Sequence, residues 1–130
     1  MKKLVLFLGV FTILFSCNPP QRNCIEFHQG TFSFSETIDG ELHTTYFKRT
    51  ADLEVSEYRG QLDSASVRWI NDCEYVLKNL NPKNKEEEQS LHMKILTTEK
   101  DGYTFEYGVM GSPNKRRGVV KKIDDKLKQF

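Results

Sequence analysis

The chain predicts an all-β domain, an antiparallel meander of about eight strands. Three observations carry this. Aromatic residues recur at period two, as in Phe32 and Phe34 and again in Tyr103, Phe105 and Tyr107, a spacing that places them on one face of a strand. Turn residues interrupt the chain at short intervals, too often for long helices. Nine Phe and five Tyr among 130 residues favour strands over a helical bundle.

The elements follow in order. Segment 31–37 alternates Phe32 and Phe34 with Ser33 and Ser35. Asp39-Gly40 signals a hairpin, because glycine supplies the positive φ of a tight turn. Segment 41–49 returns, rich in Thr, Tyr and Phe. Segment 52–58 alternates, and its apolar Leu53 and Val55 are expected inward, with Glu54 and Ser56 outward. Arg59-Gly60 turns the chain again. Strands at 64–70 and 73–80 are joined by the turn pair Asn71-Asp72. Segment 81–89 is the long polar connection, with Pro82 and the run Glu86-Glu87-Glu88; a short helix and a solvated loop are both compatible with it. In 91–98, Leu91, Met93 and Ile95 face one way and His92 and Lys94 the other. Lys100-Asp101-Gly102 is a turn, the stripe Tyr103, Phe105 and Tyr107 follows, 108–117 is a loop, and 118–123 is the last strand.

An open sheet of eight strands leaves two unpaired edges, and closing it removes them. The expected architecture is therefore a lipocalin-like small barrel or a strongly curved sheet. A two-sheet β-sandwich is the alternative, and strand patterning does not separate them.

The first residues read differently. Lys2 and Lys3 precede an apolar run over 4–15, which is the length of a secretory signal and short of the roughly 20 residues of a spanning helix. Leu14-Phe15-Ser16-Cys17 then resembles a lipobox. The expected organisation is a signal peptide at 1–16, a lipidated tether at 17–23, one β domain at 24–123 and a charged tail at 124–130. Acylation of Cys17 would bury acyl methylenes at about 0.8 kcal/mol each, a durable membrane anchor when several chains are attached. The tether carries Pro19 and Pro20, which exclude helix. It carries no acidic residue, and an outer-membrane position facing the periplasm is expected.

Removing 16 of 130 residues leaves 114, enough for one core. Nineteen basic residues less Lys2 and Lys3 leave 17 against 18 acidic, a formal charge of −1. Such a balance gives no electrostatic reason to bind nucleic acid.

Cys24 and Cys73 remain once Cys17 is assigned to lipid. In an oxidising compartment they are expected to form a disulfide; two buried thiols are the alternative. A metal site is not expected, since His28, His43 and His92 are scattered and no CxxC or HxH occurs. No cofactor is implied. No G-x-S-x-G or S-x-x-K is present, and 111–118 is glycine-flanked and basic but lacks the ending of a phosphate loop. An enzyme is not expected. Lys115, Arg116, Arg117, Lys121 and Lys122 form a basic cluster, read as a solvated loop and strand face. Trp69, Tyr103, Phe105 and Tyr107 are either core aromatics or the lining of a ligand pocket. Asp63-Ser64-Ala65 matches a short O-glycosylation sequon at Ser64.

Taken together, Cys24, the Gly30-Thr31-Phe32 start, the stretch from Ser66 through Trp69 and Cys73 to Tyr75, Leu80-Asn81-Pro82, and His92-Met93-Lys94-Ile95 leading into Tyr103-Thr104-Phe105 make the chain resemble a family of short flavobacterial (Bacteroidetes) lipoproteins. That resemblance implies an envelope lipoprotein and no established activity. Members sometimes carry a DNA topoisomerase IV label, which a small exported, slightly acidic domain does not fit. The function expected is a non-enzymatic, lipid-anchored binding module for a small apolar ligand or an envelope protein. A structural accessory of the envelope with a filled core is the alternative.

Overall fold

A computed structural model describes Cys17 and residues 21–126. Residues 1–16, expected above as a signal peptide, residues 18–20 of the expected tether and the last four residues of the chain lie outside the described residues. A single-turn 3-10 helix, η1 (Cys24–Phe27), leads into eight strands: β1 (Gly30–Ile38), β2 (Glu41–Arg49), β3 (Leu53–Tyr58), β4 (Gln61–Asn71), β5 (Glu74–Asn79), β6 (Leu91–Glu99), β7 (Gly102–Val109) and β8 (Arg116–Ile123). Each strand pairs antiparallel with the next, and β8 pairs back onto β1 through Phe34↔Val120 and its neighbours. The meander is a closed barrel, so the curved-sheet and sandwich alternatives fall away.

Local chemistry explains the turns. Asp39 and Gly40 have φ of 51° and 80°, and Arg59 and Gly60 have 50° and 78°. Two successive positive φ values match a two-residue hairpin whose twist suits the flanking strands. The connection between β5 and β6 forms turns and no helix. Asn84 Oδ1 accepts from the Glu87 amide at 2.9 Å and Glu87 Oε2 from the Lys83 amide at 2.8 Å, and the asparagine side chain thus holds one local turn in place of a helix.

Register decides which residues point inside. Phe32 pairs with Phe47, Phe34 with Thr45, and Met93 with Tyr107; Phe32, Phe47 and Met93 belong to the buried core, and Phe34 and Tyr107 pack against it. On β3 the expected orientation is reversed. Arg49 pairs with Glu54 and Phe47 with Ser56, so Glu54 and Ser56 share the interior face and Leu53 and Val55 take the outer one. The physical reason is Arg49: its guanidinium is buried, and a buried charge requires an opposite charge and hydrogen-bond partners.

The meander places the 39–40 and 59–60 hairpins and the 80–90 and 110–115 loops at one end of the barrel. The other end is closed by η1. Phe27 is fully buried, and its ring meets Tyr103 edge-on at 5.2 Å. Cys24 and Cys73 are bonded, with Cα atoms 5.2 Å apart, which ties the plug to the β4–β5 turn. Lys122 donates to the Glu26 carbonyl at 3.1 Å and lies 5.9 Å from the centre of the Phe27 ring, so this member of the basic cluster holds the plug. Arg117 pairs with Glu106 at 3.1 Å on the outside.

Candidate functional site

Arg49 stands at the last position of β2, where Phe47 and Arg49 point into the barrel. Its Nε donates to Glu54 Oε2 at 2.9 Å and its Nη1 to the Phe27 carbonyl at 2.8 Å. Its Nη2 donates to the hydroxyls of Tyr75, at 2.7 Å, and Tyr103, at 3.0 Å. The guanidinium carbon lies 4.6 Å from the centre of the Tyr75 ring, 5.2 Å from Phe32 and 5.3 Å from Phe47. Aromatic faces thus surround a cation whose edges are met by oxygens.

The electrostatics follow from this cage. Burial works against the guanidinium charge, but the oxygens of Tyr75, Tyr103 and Glu54 outweigh it and raise the pKa. Burial pushes the Tyr75 phenol well above its ordinary value, and the nearby Arg49 charge opposes this only in part. Tyr103 is raised for the same reason, against the same opposing charge. Both phenols are therefore protonated donors across the physiological range. Tyr107, nearer the mouth, is raised by burial against the pull of Arg116.

Above this floor lies a chamber of about 270 Å³. Phe34, Phe47, Met93, Phe105, Tyr107 and Val120 form its walls, and Arg49, Glu54, Tyr75 and Tyr103 its polar end. Gly118 makes room for it: a Cβ there would stand 2.5 Å from Phe34 and 2.8 Å from Phe105, whose rings pack edge to face at 5.4 Å. Glu54, Ser56 and Leu91 also line a second hollow of about 470 Å³ beneath the 80–90 connection, where Asp63, Glu86 and Glu87 face it. Small-molecule sites share this plan of apolar walls with a few convergent polar groups.

The sequence-derived residues divide between two places. Tyr103, Phe105 and Tyr107 line the chamber together. Trp69 does not line it: the indole stacks on His28, with ring centres 3.6 Å apart, and tilts against Tyr75 at 4.4 Å. The Trp69 Nε1–H is buried with no hydrogen-bond partner among the described residues. His28 donates from Nε2 to the Asp72 carbonyl at 2.8 Å, since a carbonyl only accepts. Trp69 is thus part of the closed end, over the plug. Ser64 sits within β4, half-buried beside the larger hollow, and Cys17 is exposed and unbonded to the other two cysteines. Among the described residues, no group of three or more His, Cys, Asp or Glu is arranged to hold a metal ion.

Arg49, Glu54 and Tyr75 are the site residues that sequence reasoning misses. One signal was present: Arg49 has the same strand parity as Phe47, and Glu54 follows it across a short turn. No family model, curated protein or solved structure matches the chain.

Proposed function

We propose that the β domain is a non-enzymatic binding module that takes a small apolar ligand into the open end of its barrel. The observation that carries this is the aromatic-walled chamber of about 270 Å³, which shares Glu54, Ser56 and Leu91 with a larger neighbouring hollow. A domain built only as a scaffold has no use for space at its centre, because filling it would add stability. We propose further that the protein is a lipid-anchored envelope lipoprotein of the flavobacterial type, held at the outer membrane through Cys17 and facing the periplasm. The greasy leader and the lipobox-like ending support this. The bridge between Cys24 and Cys73 supports an oxidising compartment.

Native mass spectrometry of the gently extracted protein tests the ligand. The expected result is a small organic mass that accompanies the wild type and is lost from a correctly folded Leu91→Trp variant, whose indole fills space at a wall the two hollows share. A clean protein mass in both, with no uptake of an apolar fluorescent probe, would overturn the reading.

A protein partner is the second reading, favoured by one observation. Ile38, Leu42, Leu62, Leu80 and Met110 are exposed, and all five stand at the open end. An apolar rim of this kind suits a partner that covers the mouth. Leu42→Glu with Leu62→Glu is expected to abolish capture of such a partner while leaving the small-molecule mass in place.

A further inference from the structure

The floor of the chamber holds phenolic protons for which no acceptor is in place. A guanidinium has five N–H donors and no acceptor. Those of Arg49 meet four oxygens: Glu54 Oε2, the Phe27 carbonyl and the two phenols. Each phenolic oxygen already accepts from Nη2, and neither can return its own proton to Arg49. The two hydroxyls meet on one nitrogen, and at most one of them can donate to the other. They cannot both donate to each other at once. Among the described residues, neither donates to the Glu54 carboxylate or to a carbonyl. At least one phenolic proton is therefore left over, on a side chain that is almost completely buried and that lines the chamber.

A buried donor without an acceptor is costly, and a bound molecule that supplies one removes the cost. The charge balance narrows the choice. Arg49 and Glu54 cancel, so the floor holds no net charge to match an ion. Glu36 also lines the chamber and disfavours an anion. An ammonium has no acceptor to offer the spare phenolic proton.

We infer that the ligand is an uncharged apolar molecule whose inner end carries a hydrogen-bond-accepting oxygen, as in a ketone, ester or alcohol, placed against the spare phenolic proton of Tyr75 or Tyr103. This rests on the ligand-binding reading above and adds the chemistry of the ligand's inner end. Phe34, Met93 and Phe105 enclose its hydrocarbon part.

The test is a matched set of six-membered-ring probes, titrated calorimetrically into the intact protein in nanodiscs, with empty nanodiscs subtracted. Cyclohexanone is expected to bind about tenfold more tightly than methylcyclohexane, which is about 1.4 kcal/mol. Cyclohexylammonium and cyclohexanecarboxylate are expected to bind more weakly than methylcyclohexane. Isotope-edited infrared spectroscopy of bound cyclohexanone is a second measurement: its carbonyl stretch is expected to shift to lower frequency than in an alkane solvent. Equal binding of ketone and hydrocarbon with no shift, or tightest binding of either ion, would overturn the acceptor inference and leave the binding module standing. Failure of every probe to bind would overturn both.

Discussion

Arg49 on β2 and Tyr103 on β7 meet across the barrel, 54 positions apart in the chain, through a 3.0 Å hydrogen bond from Nη2 to the phenolic oxygen. That bond joins opposite walls of the barrel at the depth where the plug closes it. It also sets the floor of the chamber, since the same guanidinium holds Glu54, Tyr75 and the carbonyl of Phe27.

The first prediction concerns that charge. Arg49→Met leaves Glu54 without its partner in a nearly dry site. A loss of about 3–5 kcal/mol is expected, measured by urea unfolding. The double variant Arg49→Met/Glu54→Gln is expected to recover part of it, because the stranded charge is gone. Equal losses in both would show that packing of the long side chain outweighs its charge.

Alkaline pH should find the same cluster. Tyr75 and Tyr103 have pKa values raised by burial, against about 10 in the unfolded chain. The folded state keeps protons that the unfolded state releases, so stability is complete below about pH 10 and falls as pH rises through the folded-state values. Spectrophotometric titration at alkaline pH is expected to show two tyrosines that ionise only as the barrel unfolds. Smooth titration of all five in a folded barrel would contradict this.

Cys24 and Cys73 close a loop with a sequence separation of 49. Chain-entropy estimates give such a bridge about 4 kcal/mol. Replacing both by serine is expected to lower the urea midpoint accordingly, and peptide mapping without reductant is expected to recover the two segments as one linked mass.

Gly102 has a packing role that its place at a turn does not reveal. A Cβ there would stand 2.4 Å from the carbonyl oxygen of Val120, and backbone cannot move aside as a side-chain tip can. Gly102→Ala is expected to cost about 1–3 kcal/mol in the same unfolding assay. Gly60→Ala meets nothing within 4 Å, and its cost comes from its φ of 78° instead.

Membrane attachment is the last prediction. Cys17→Ser is expected to release the protein from the membrane fraction on cell fractionation, with the fold unchanged by circular dichroism. Persistence in the membrane would refute anchoring through that sulfur.

Strand order and most strand limits were legible along the chain. The aromatic stripe of β7, the alternation of β6 and the Asp-Gly and Arg-Gly hairpins each rest on local chemistry, the period of a pleated strand and the steric freedom of glycine. The candidate site was legible only in part. Tyr103, Phe105 and Tyr107 announce a shared face by their spacing, and that face is the chamber wall. Period two says that alternate residues lie together; it does not say which set is inside. On β3 apolarity pointed to Leu53 and Val55, and the tertiary structure chose Glu54 and Ser56, because Arg49 opposite needed a carboxylate more than the core needed two further apolar side chains. Tyr75, Trp69 and Phe27 were assigned their places the same way, by partners far off in the chain. The amino-acid sequence by itself determined a meander of alternating strands. Barrel closure, the contents of its interior and the pairing of Cys24 with Cys73 were decided only when register brought distant residues together, since burial energy depends on what each side chain meets.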